Sequence, residues 1–126
     1  MTDYVVWLDS EVAQIFQLKT DGVQKSQLKK NTVSHHTQNK KDQHTDNNLE
    51  HFFRDLALRL SNADQLLILG PSLTKQHFKT HLETHHTGDQ AKKIVGIENS
   101  DHPTEAQILA AAHKFFKKHD LYNNPI

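Results

Sequence analysis

His77, His81 and His85 recur every fourth residue, and on a helix that spacing lines imidazoles along one side. Two imidazoles so placed can share a zinc or nickel ion. No neighbouring acid or cysteine obviously completes the set, although His35, His36 or His44, farther up the chain, would be donors of the right type. On a helical wheel the three histidines border the Phe78 and Leu82 face, where imidazoles commonly sit half-buried without binding anything. That is the reading adopted here, and no cofactor is expected.

Asp9 is a second candidate, because it follows the apolar run Tyr4-Val5-Val6-Trp7-Leu8. A two-metal nuclease needs several carboxylates at strand ends to clamp the attacking and leaving oxygens. The run Leu66 to Leu69, however, ends in Gly70-Pro71 with no acid, and Glu98 and Asp101 are only partial substitutes. Asp9 therefore reads as a turn residue, and no enzymatic activity is expected. Lysine is the third candidate: Lys29, Lys30, Lys40, Lys41, Lys75, Lys79, Lys92 and Lys93 are available phosphate partners. Lys114, Lys117 and Lys118 extend the set toward the end of the chain. Aromatic interleaving of the kind that stacks single-stranded RNA is poor.

The elements that position these residues are legible from pattern. Leu66-Leu67-Ile68-Leu69 has no polar alternation, so it is a short strand covered on both faces. Gly70-Pro71 ends it and Ser72 is placed to cap a helix running to about His86. Tyr4 to Leu8 is another central strand, Val12 to Leu18 a second with one wetter face, and Val23 to Leu28 a polar edge strand. An Asp-Gly turn at Asp21-Gly22 joins the last two. Leu49, Phe52, Phe53, Leu56 and Leu60 form one helical stripe from about Asn48 to Asn62, with Leu58 on the opposite side. Ile94-Val95-Gly96-Ile97 is a fifth strand. Thr104-Glu105-Ala106-Gln107 is a capping box opening a last helix to about His119. Lys30 to Asn47 has Val33 as its one large aliphatic residue, so a mobile polar loop is expected at about 30–47.

The order β-β-β-α-β-α-β-α with right-handed crossovers gives a three-layer α/β/α domain. Its mixed five-stranded sheet should run 3-2-1-4-5, and 126 residues suit one domain over 1–126. Lys+Arg 15 balances Asp+Glu 15, and eleven histidines make that neutrality sensitive to pH near 6.5. The absence of cysteine excludes disulfides, thiolate metal sites and cysteine nucleophiles. With no signal-like start and no bilayer-length apolar run, the expectation is a cytoplasmic protein with no membrane partner.

Four stretches carry a family resemblance: Val5-Val6-Trp7-Leu8-Asp9; Leu67-Ile68-Leu69-Gly70-Pro71 with Lys75 beyond it; Lys93-Ile94-Val95-Gly96-Ile97-Glu98; and Asp101-His102-Pro103-Thr104. They resemble small His-rich bacterial proteins labelled translational machinery proteins. Those proteins are similar to the middle domain of archaeal and eukaryotic peptide-chain release factors and of Pelota-like ribosome-rescue factors. The resemblance covers nearly all of the sequence outside Lys30 to Asn47, and it implies the translational machinery component fold, related to RNase H. It also implies association with the ribosome or structured RNA. Release factors carry a Gly-Gly-Gln loop in that domain; this sequence has none, so peptidyl-tRNA hydrolysis is not carried over. The alternative is a protein–protein module, a homodimer or adaptor working through the polar edge strand or Leu58. No small-molecule substrate is indicated.

Overall fold

The computed structural model describes residues 2–30, 45–85 and 89–123. Strands β1 (Asp3–Leu8), β2 (Val12–Lys19) and β3 (Gly22–Lys29) precede helix α1 (Thr45–Arg59). Strand β4 (Gln65–Gly70), helix α2 (Thr74–His85), the one-turn helix α3 (Asp89–Lys92), strand β5 (Ile94–Asn99) and helix α4 (Glu105–Asn123) complete the order. The sheet runs β3-β2-β1-β4-β5, as the sequence predicts. β1 pairs antiparallel with β2 and parallel with β4, β2 pairs antiparallel with β3, and β4 pairs parallel with β5.

Alternation along the strands divides the interior in two. Tyr4, Val6, Leu8, Ala13, Ile15, Leu66 and Ile68 pack under Phe52, Phe53, Leu56 and Leu60 of α1 and Phe78 and Leu82 of α2. Val5, Trp7, Phe16, Leu67 and Leu69 face Ile108, Ala112 and Phe116 of α4. No side chain from Val5 to Leu8 or from Leu66 to Leu69 exposes more than 2% of its surface. Between β1 and β4 the fit is so close that a Cβ on Gly70 would run into the Leu8 carbonyl oxygen. The β2–β3 hairpin turns at Thr20-Asp21, with Gly22 at φ 149°, a backbone that side-chain-bearing residues avoid.

Several boundaries differ from expectation. α1 starts at Thr45 and stops at Arg59, where the Leu60 amide is shared between the Leu56 and Ala57 carbonyls and the Ser61 amide turns to the Leu58 carbonyl three residues back, tightening the exit. Ser72 is not a full cap for α2: its hydroxyl lies 3.5 Å from the Thr74 amide and 3.2 Å from the Thr74 hydroxyl. The capping box holds, with Thr104 N donating to Gln107 Oε1 at 2.9 Å and Gln107 N donating to Thr104 Oγ1 at 3.2 Å. The loop expected at about 30–47 lies largely outside the described residues, and its last three residues belong to α1.

At the start of the sheet, Asp3 stands opposite Gln65 in the β1–β4 register, and Asp3 Oδ1 and Gln65 Oε1 are both buried acceptors without a hydrogen-bond partner among the described residues. Burial, then the nearby charges of Asp120 and Asp64, raise the Asp3 carboxyl above the ordinary carboxylate range, against the opposing pull of the amino terminus and His119. A carboxyl raised on folding favours the fold at pH below its unfolded value and loses that contribution as pH rises through the folded value. Asp3→Asn should therefore raise the thermal midpoint at pH 7, with the gain fading as pH falls toward about 4. Melting curves across that range check it.

Ile68 tests the two-sided burial of β4. Ile68→Asp would place an unpaired charge between two layers, at several kcal/mol, against roughly 5–15 kcal/mol for a whole domain. It should abolish cooperative melting. Leu58→Asp, at a side chain 64% exposed, should melt within about 0.5 kcal/mol of the parent. A soluble, cooperatively melting Ile68→Asp protein would contradict the assignment.

Candidate nucleic-acid interface

The candidate phosphate partners do not form one patch. Lys29 is exposed at the end of β3, opposite Val12. The Lys30 ammonium lies 3.8 Å from Glu11 Oε2, with its side chain 17% exposed. Lys79 is exposed on α2, Lys92 is exposed and Lys93 half-buried just ahead of β5. β3 and β5 are opposite edges of the sheet, four strand spacings of about 4.8 Å apart. The Lys29–Lys30 pair also sits at the end of the sheet where β1 finishes, whereas Lys93 accepts a backbone bond from Leu66 at the other end. Charge is thus spread around the rim. Lys40 and Lys41 lie outside the described residues.

Lys75 is a correction. The sequence places it among the surface lysines, whereas it is 2% exposed and its ammonium donates to the Ser72 carbonyl oxygen at 2.5 Å. Its chain lies alongside Gly70, where the missing side chain makes room. Lys75 therefore ties the β4–α2 connection together and offers nothing to a phosphate outside. The sequence signal was available: Lys75 and Phe78 are three apart, hence on one side of the helix, and Phe78 is fully buried.

The histidines line one wall of a groove of about 340 Å³ between α1 and α2, bounded by Leu49, Glu50 and Phe53 across from His77, Thr80, His81, Thr84 and His85. They divide by burial, as their border position predicts. His81 is 9% exposed, with its ring 5.5 Å from that of Phe53 and 4.7 Å from that of His85. His77 is exposed, and His85 Nε2 is 3.7 Å from Glu50 Oε2 with both side chains about half exposed. Among the described residues no group of three or more His, Cys, Asp or Glu side chains is arranged to hold a metal ion. His35, His36 and His44 lie outside the described residues.

Asp9 serves the β1–β2 turn. Its Oδ1 accepts hydrogen bonds from the amides of Glu11 and Val12, each at 2.8 Å, and its own amide donates to the Val12 carbonyl. At the same end of the sheet, Trp7 Nε1 donates to the Ser100 carbonyl at 3.1 Å, and the Ser100 amide donates to the Gly70 carbonyl at 2.8 Å. The ends of β1, β4 and β5 are thereby joined by structural bonds. No helix among the described residues is long and apolar enough to cross a membrane.

No protein-family model matches the chain, and no curated protein matches it. Solved structures do share its fold. Pelota of Archaeoglobus fulgidus superposes with a TM-score of 0.63 at 14% identity, covering 90% of this chain and 31% of Pelota. Pelota of Thermoplasma acidophilum gives 0.57 at 15% identity, covering 84% of this chain and 30% of that one. The archaeal translation termination factor aRF1 gives 0.57 at 14% identity, covering 96% of this chain and 40% of the factor. The chain thus spans less than half the length of each of these proteins and has the fold of one part of them.

Proposed function

We propose that this domain is a non-catalytic, translation-associated module that binds the ribosome or structured RNA weakly, through charge. The observation that carries the reading is the shared fold: the β3-β2-β1-β4-β5 sheet with its flanking helices recurs in a termination factor and in two Pelota proteins. The missing Gly-Gly-Gln and the engagement of Asp9 in a turn support a role without hydrolysis. Lysines dispersed over two edges of the sheet favour many weak phosphate contacts over one deep site.

Sedimentation with ribosomes over a salt series tests this reading. Log affinity should fall linearly with log salt, and Lys79→Ala/Lys92→Ala should flatten the slope by about one to two units. Binding should also strengthen between about pH 7.5 and pH 6, as imidazoles gain charge. Absence of association at either pH would sink the proposal and favour the protein–protein module.

Lys75 supplies an internal control. Lys75→Met removes a buried ammonium whose desolvation is costly and keeps an apolar stem of similar length, at the loss of one bond to the Ser72 carbonyl. The variant should keep its fold and the parental salt slope, while Lys79→Ala/Lys92→Ala loses slope and keeps its melting temperature. A Lys75→Met protein with a reduced slope would show that this ammonium reaches phosphate after all.

A further inference from the structure

On the α1 side of the sheet, where the helix ends, a recess of about 370 Å³ is lined by Tyr4, Ile15, Gln17, Gln24, Ser26 and Arg59. Strand register explains the grouping. Tyr4 stands opposite Gln17 and Gln17 opposite Gln24, so one row crosses β1, β2 and β3; Ile15 and Ser26 form the next pair on the same face. Arg59, the last residue of α1, lines the recess from the helix side. The floor is fixed, because the Tyr4 hydroxyl is held by Asn62 Oδ1 at 2.7 Å.

The polar groups around this floor are unengaged. Among the described residues, the side chains of Gln17, Gln24, Ser26 and Arg59 make no hydrogen bond or ion pair with the protein, and Asp55, one turn before Arg59, does not pair with it. Among the described residues no carboxylate lines the recess. Its inventory is a guanidinium with five donors in a fixed fork, two primary amides that each donate and accept, and a hydroxyl. A guanidinium fork matches a phosphate or a carboxylate. An amide matches the paired donor and acceptor on the edge of a nucleobase.

We propose that this recess binds a single nucleotide unit, with its phosphate on Arg59 and its base edge on Gln17 and Gln24. The inference rests on the RNA reading above and gives it a local specificity that dispersed lysines cannot supply. A bare carboxylate such as acetate would use Arg59 and leave both amides to water, whereas a nucleotide engages the guanidinium and the amides together. The volume is at the small end of ligand pockets, which suits one unit and no more.

Backbone amide NMR titration of the full chain with AMP, CMP, GMP, UMP, inorganic phosphate and acetate tests the proposal. At least one nucleotide should shift Gln17, Gln24 and Ser26 saturably and more strongly than phosphate alone, while acetate has little effect. Arg59→Met should weaken that nucleotide by about tenfold. Gln24→Ala should level the differences among the four bases. Both positions are exposed, so the variants should melt like the parent and their losses will not reflect unfolding. Equal responses to phosphate and all four nucleotides, a matching response to acetate, or unchanged binding in Arg59→Met would each overturn the proposal. Parental sedimentation with ribosomes alongside a silent recess would overturn the recess alone. A parent that fails to sediment yet takes up a nucleotide through Arg59 would overturn the ribosome reading and support the recess.

Discussion

The constraint on which this structure depends is the burial of β1 and β4 on both faces. Two adjacent parallel strands with almost no accessible side chain are tolerated only if helices cover the sheet above and below. Every other element answers that need. The stripe of α1 and the Phe78–Leu82 pair of α2 close one side, and Ile108, Ala112 and Phe116 of α4 close the other. Gly70 lets the two strands approach, and the Lys75 stem occupies the space beside it. Loss of either face would expose a continuous apolar ribbon, so the layers stand or fall together.

Coverage by helices decides where function can be located. The centre of the sheet is closed, and the ends of β1, β4 and β5 are bound to one another through Trp7, Ser100 and Gly70. What remains open is the rim and the β2–β3 wing, where α1 ends and polar side chains take over. β3 has no buried residue, and its lysines protect it from pairing with another strand. The Lys25–Glu105 pair at 2.8 Å, more than 40% exposed at both ends, contributes little to stability. The lysines stand on separate edges of the sheet, whereas the β2–β3 wing carries the recess, whose floor alone is pinned, through the Tyr4 hydroxyl.

Fold was far more legible in the sequence than site. Unbroken apolar runs such as Leu66 to Leu69 identify central strands because nothing else fits a face-to-face sandwich, and the Thr104–Gln107 box marks a helix start by a local exchange of two bonds. Those signals are short-range. The recess at Arg59 joins residues from four elements, and no local pattern registers Gln17, Gln24 and Arg59 as neighbours. Lys75 departs from expectation for the opposite reason: its residue type points to the surface, while its side of the helix faces inward. Asp3 and Gln65 meet only through the β1–β4 register, so their shared lack of donors could not be read from either stretch alone.

The parallel pairing of β1 with β4 carries a kinetic consequence. β1, β2 and β3 are joined by turns of a few residues, so their antiparallel contacts close short loops and can form early. The Asp3–Gln65 register, by contrast, joins residues 62 positions apart, with the whole of α1 and the hairpin between them. Until that closure occurs, β1 has one neighbour instead of two and Val5 to Leu8 lack cover. Contacts of such sequence separation slow folding, and here they are the ones that cover the most hydrophobic strand. A nascent chain paused before β4 emerges would hold a three-stranded meander with its inner edge bare. An unpaired inner edge of that kind is a template for pairing with another strand.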